Sequence, residues 1–265
     1  AAIQCIFDME PGLSEDAIWE QYHDHLFNLY LQLGSSLNLS MECGDLVEEC
    51  LRVLQSRARN RIEKIKTTSL VLQNMDYSNK VELLNYGIRS LREFEIAMPS
   101  LTSSDEEKAQ FIQDKLTLVS HLCNQYILKS QGRLNLCDSL LAYLPKIVSE
   151  EMIALSSVMY ALSPPAIMMD AQLFACIVLQ LFAITLQYGY AGYLIASLTL
   201  LNAYLAVLDS NIVKYEDAKQ LQQFVLEISN REPLDEKYSV YSTHGILVGP
   251  WFHSIDKCRQ YVENT

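Results

Sequence analysis

The densest group of residues able to ligate a metal or move a proton is Tyr22-His23-Asp24-His25. On a helix, His23 and His25 project about 200° apart. They cannot readily share one ion, and zinc sites built on a single helix use i, i+4 spacing. The pattern predicts that Tyr22-His23-Asp24-His25 is half surface and half packing, with no metal bound. His121 and Cys123 are two residues apart and have the same defect. His244 and His253 flank Gly249-Pro250-Trp251, which reads as a packed corner anchored by Trp251; the alternative is a small-molecule pocket under that corner. Glu48-Glu49 and Glu150-Glu151 are adjacent acids in charge-rich helical stretches, suited to solvated faces or the first turn of a helix. The chain contains no GxSxG, no HExxH, no GxxxxGK[ST] phosphate loop and no kinase catalytic loop. No catalytic residue, cofactor or metal ligand is expected, and the chain reads as a non-enzyme.

Charge narrows the partners. The net charge is −12, which disfavours nucleic acid and anionic lipid as main partners. One basic cluster stands against it: Arg52, Arg57, Arg59, Arg61, Lys64 and Lys66. Arg57, Arg61 and Lys64 are read as one helix face, solvated and balancing Glu48, Glu49 and Glu63; the alternative is a local phosphate or acidic-partner site. The seven cysteines are odd in number and lack CxxC spacing. Cys50, Cys123 and Cys176 fall on apolar stripes and read as small core residues. This usage suits a reducing cytoplasm. No secretory signal is visible, and the abrupt ends suggest a piece of a longer protein.

The elements that must position these residues are organised around residues 171–208, a run without a single charged side chain. It is too long for one globular helix and breaks at Tyr188-Gly189-Tyr190-Ala191-Gly192. The expectation is a hairpin of two buried helices. A membrane hairpin is disfavoured because Gln172, Gln180, Gln187 and Asn202 interrupt the arms, and no Lys or Arg flanks them. A helix apolar all round belongs at the centre of a large fold. Tyr188, Tyr190, Tyr193 and Tyr204 on this hairpin, with Tyr238 and Tyr241 later, read mostly as core; a minority could line a binding face.

In chain order, Ser14 caps a helix with an acidic first turn and the stripe Ile18, Tyr22, Leu26, Leu29, Leu33. A turn around Gly44 leads to a helix on Leu46, Cys50, Leu51 and Leu54. The next runs from about Asn60 to Met75, and another starts at Asp76 on Val81, Leu84, Ile88 and Leu91. Ser104 caps the helix of Ile112, Leu116, Val119, Cys123 and Tyr126, which Gln131-Gly132 breaks. A short helix over 136–144 ends at Pro145. Ser149 opens another that Ser163-Pro164-Pro165 stops, since a residue before proline avoids helix. After the hairpin come a helix on Ala218, Leu221, Val225 and Ile228, one containing Tyr238, Tyr241 and Ile246, and a final helix from Ser254. The fold class is all-α, a tetratricopeptide-like solenoid of stacked antiparallel helix pairs. One domain spans 1–265, with sub-lobes at 14–98 and 104–265.

A weak repeat supports that class. Gly44-Asp45-Leu46 leads to Cys50, and Met75-Asp76-Tyr77 leads to Val81, about 31 residues on, near the tetratricopeptide period. The succession of residues 26–33, Cys43-Gly44-Asp45, Asp76-Tyr77, Ser163-Pro164-Pro165-Ala166, Asp170-Ala171-Gln172-Leu173-Phe174 and Gly249-Pro250-Trp251-Phe252-His253 resembles one family. This is the tetratricopeptide-like helical region that follows the STAND-type (AAA-like) ATPase module in large multidomain signalling kinases. The resemblance covers nearly the whole chain from about Ile18. It implies a regulatory module that binds protein partners or relays signals to attached ATPase and kinase domains. The final helix carries Ile255, Tyr261 and Val262 on roughly one face. A solenoid end without its neighbour exposes such a face, so this helix is expected to fold back or to form a weak homodimer.

Overall fold

The computed structural model describes residues 2–9, 12–38, 44–190 and 215–230. Among them every regular element is a helix, so the fold is all-α. The chain divides into two compact units, residues 1–79 and 80–265.

The first unit contains α1 (Ala2–Met9), α2 (Glu15–Asn38), α3 (Gly44–Arg57) and α4 (Arg61–Asn74). Helix α1 lies ahead of the Ser14 cap and is an addition to the elements read from sequence; its Ile3, Ile6 and Phe7 pack against the core of Ile18, Trp19, Leu26, Phe27, Leu54 and Leu70. Helices α2, α3 and α4 contact one another mutually. Arg57 at the end of α3 reaches Asp16 and Glu15 at the start of α2, so these two run antiparallel. His23 meets Glu63, and a Cβ added to Gly34 would stand 2.7 Å from Leu70. Contacts therefore advance in the same direction along α2 and α4, which lie side by side and parallel.

The buried stripe of α2 differs from the one expected. Ile18 and Leu26 are buried, but Leu33 is exposed, and Trp19, His23 and Phe27 are buried instead. Tyr22 has non-helical φ −117° and ψ 24°. Trp19, His23, Phe27, Tyr30 and Gly34 still recur at spacings of three and four, so one period describes the buried face, which reaches Gly34 where Leu33 was expected. In α3, Leu46 is exposed and Val47 takes its place beside Cys50 and Leu54.

The second unit contains α5 (Lys80–Glu93), α6 (Asp105–Lys129), α7 (Leu136–Tyr143), α8 (Glu150–Met169), α9 (Ala171–Tyr188) and α10 (Tyr215–Ser229). Its centre is α9, the first arm of the uncharged stretch. Every residue from Leu173 to Leu186 except Gln180 is buried. Helix α9 packs between α6 and α8; α8 also packs on α5, and α7 packs on α6 and α10. Thus α5 pairs with α8, two helices further on in the sequence than α6. The start of α6 meets the start of α9 through Lys108–Asp170, and its end meets the end of α9 through Tyr126 Oη and the Leu186 carbonyl, 2.9 Å apart. These two helices are parallel. Helix α9 ends where expected, at Gly189, with φ +116°. Tyr190 N–H donates to the Pro145 carbonyl and Ile147 N–H to the Tyr190 carbonyl, both at 2.9 Å. Any Cβ on Gly189 would lie 2.4 Å from Pro145 O.

The capping signals hold. Ser104 and Glu107 form a complete capping box on α6, and Ser149 caps α8. Gln131 and Gly132 break α6 with φ +56° and +71°. Two boundaries are corrected. Asp76 does not start a helix: its carboxylate accepts from the Ser78 N–H and hydroxyl, a local turn that delays α5 to Lys80. Pro164 and Pro165 do not stop α8, which continues through both to Met169. Burial of Leu162, Ser163, Pro165 and Ala166 in the packed layer holds it, and tertiary packing overrides the local proline penalty. The second arm of the hairpin and the two later helices lie outside the described residues.

Candidate functional site

Two buried polar clusters and one apolar surface remain as candidates. The first lies on the α2–α4 seam. Asn60 caps α4, its side chain accepting from Glu63 N–H at 2.9 Å. The Glu63 carboxylate turns back to accept from Arg59 N–H at 2.6 Å and from Asn60 Nδ2 at 2.8 Å. Nε2 of His23 lies 3.1 Å from Glu63 Oε2. Neither ring nitrogen of this buried histidine is aligned for a hydrogen bond with a described residue, nor is the indole N–H of Trp19. Burial pushes the Glu63 carboxyl up, but the Arg59 N–H, His23 and Asn60 outweigh it and hold the group below the usual carboxylate range. Trp19 is stacked on Tyr30 and covered by the Arg57 guanidinium 5.3 Å from its ring.

The second cluster joins α6 to the α8–α9 junction. Lys108 is 4% exposed. Its Nζ donates to Asp170 Oδ2 at 2.6 Å and to the Leu101 carbonyl at 3.4 Å. The other oxygen of Asp170 caps α9 through Leu173 N–H. Burial raises the Asp170 carboxyl, but Lys108 and the cap amides draw it below its ordinary value. Cys176 lies one turn further on, with its thiol pushed up to about 12 by burial and then by the Asp170 charge. Such a thiol is held protonated and is a poor nucleophile. Cys123 is similarly raised, to about 11, by burial and then by Cys137.

The surface candidate is the end of α8. Ile167, Met168 and Met169 are 47%, 65% and 47% exposed. Two shallow cavities lie among the described residues. One, about 430 Å³, is lined by Phe7, Ile18 and Val53 together with Glu15 and Glu49. The other, about 320 Å³, lies beside Lys129, Arg133 and Tyr143.

The sequence-derived candidates are dispersed. His23 is buried and His25 exposed, so their segment is half packing and half surface, as expected. His121 is exposed and pairs with Gln125 at 3.0 Å. Glu49 pairs with Arg52, and Glu150 and Glu151 occupy the first turn of α8. The basic cluster is not one helix face: Arg57 ends α3, residues 58–60 break the chain, and Arg61 and Lys64 begin α4. Cys50 and Cys176 are buried, whereas Cys123 is partly accessible. Tyr190 is buried and Tyr188 exposed. Tyr193, Tyr204, Tyr238, Tyr241, His244, Trp251, His253 and the face of Ile255, Tyr261 and Val262 lie outside the described residues. Sequence reasoning missed Lys108, Asp170 and the His23–Glu63 contact. The Ser104 cap followed by a lone lysine one turn later was the available signal for Lys108. No family model, curated protein or solved structure matches the chain.

Proposed function

We propose that this chain is a non-catalytic helical interaction module that binds protein through the exposed end of α8. The carrying observation is a contrast within the second unit. Its buried charges, Lys108 and Asp170, are spent on each other and on a helix cap. Its large apolar residues Ile167, Met168 and Met169 stand in solvent just beyond buried Leu162, Ser163, Pro165 and Ala166 of the same helix. Flexible methionines beside an aliphatic residue suit an adaptable docking surface. The mutual packing of α2, α3 and α4, with α2 parallel to α4, is what a tandem helical repeat produces and supports the solenoid reading for the first unit. In the second unit the pairing of α5 with α8 departs from simple sequential stacking.

The resemblance to the helical region of STAND-linked signalling kinases supplies the partner: an ATPase or kinase domain of the same longer, cytoplasmic protein. The test is Met168→Glu in that parent protein. The side chain is exposed, so the helical spectrum and melting temperature should hold while ATP turnover or phosphotransfer changes severalfold. Unchanged output with Met168→Glu and Ile167→Glu combined would overturn the reading.

A further inference from the structure

We propose that His23, Asp24 and Glu63 form a binding site for a divalent transition-metal ion of the zinc class, bridging α2 and α4. One nitrogen and two carboxylate oxygens, one from each residue, lie within 4.8 Å of one another. The His23 side chain is 7% exposed, and both its nitrogens lack an aligned hydrogen-bond partner among the described residues. A buried imidazole without such a partner is costly, and a metal ion at Nε2 would satisfy that nitrogen, leaving Nδ1 as it stands. The edge between His23 Nε2 and Glu63 Oε2 is 3.1 Å. Two ligands bound at about 2.0–2.1 Å in tetrahedral geometry stand about 3.3 Å apart, so this edge already fits. Asp24 is exposed, and a change of its rotamer would close the two remaining edges, each within 4.8 Å.

The surroundings suit ligation. Glu63 is oriented by Arg59 N–H and Asn60 Nδ2, the kind of outer hydrogen bonds that fix a ligating carboxylate. His25, two residues beyond His23, is exposed and stands apart from the group. A set of one imidazole and two carboxylates favours zinc over magnesium or calcium, which prefer all-oxygen shells. The exposed Asp24 side leaves room for a water as the fourth ligand.

The test uses the full chain, stripped with chelator and titrated with zinc chloride by calorimetry, then with cobalt(II) as a spectroscopic probe. One ion should bind per chain, with tetrahedral cobalt absorption displaced by zinc. Asp24→Asn, a surface change, should weaken binding by about tenfold or more. His23→Gln should abolish it, and His25→Gln should leave it unchanged. If His23→Gln fails to fold, cobalt-shifted imidazole proton resonances in the parent sequence report the same ligand. No binding would show a plain imidazole–carboxylate contact and overturn the proposal. So would wild-type affinity in Asp24→Asn, loss of binding in His25→Gln, or a preference for calcium or magnesium.

Discussion

Lys108→Met removes one half of a largely buried ion pair and leaves Asp170 without its cation. Removing one partner of a buried pair costs about 3–5 kcal/mol. Here the Asp170 side chain is 17% exposed, so water reaches part of the orphaned charge. Leu173 N–H still donates to it. The expected loss is therefore at or just below the lower edge of that range, about 2–3 kcal/mol. Adding Asp170→Asn should recover most of it, because asparagine keeps the cap without a charge. The assay is urea unfolding followed by helical circular dichroism, with hydrogen exchange at the α9 amides to localise the loss. The pH dependence checks the cause. Asp170 is depressed in the fold, so its contribution is full above the ordinary carboxylate range and disappears as pH falls through its lowered value. The double variant should lack that acid-linked component. A Lys108→Met loss below about 0.5 kcal/mol, or no recovery in the double variant, would refute the reasoning.

Gly189→Ala should be strongly destabilising, by more than about 2 kcal/mol, because the position combines φ +116° with a 2.4 Å approach to Pro145 O; thermal melting checks this. Tyr126→Phe removes the hydroxyl that bonds Leu186 O and should cost about 1–2 kcal/mol by urea titration. Pro164→Ala should be neutral to stabilising, by up to about 3 kcal/mol, since Pro164 is exposed inside a continuous helix. A clear destabilisation would mean that the packing of α8 requires the ring.

What could be read from the sequence was what is encoded within a few residues. Ser104 and Glu107 are three apart, and their reciprocal hydrogen bonds follow from that spacing. Gly132 and Gly189 announced their breaks because backbone with positive φ favours glycine. The absence of charge in α9 foretold its central place. Misreadings arose where a distant neighbour outweighed the local rule. Packing of α8 between α5 and α9 carries it through Pro164-Pro165. In α2 the buried face is centred one position beyond the chosen stripe, on Trp19, His23, Phe27 and Gly34. The site residues were the least legible, because Lys108 and Asp170 lie 62 positions apart and Glu63 is on a different helix from His23. Each looked like an ordinary surface charge until the helices were brought together.

The interaction reading is tested most directly by placing a photo-reactive amino acid at position 168 in the longer protein proposed above and identifying what it captures. The account predicts one dominant crosslink to a defined segment of an adjoining domain, lost with Ile167→Glu and absent when the probe is moved to exposed Leu128. Crosslinks confined to residues of this helical chain itself, or equal capture from both positions, would contradict it.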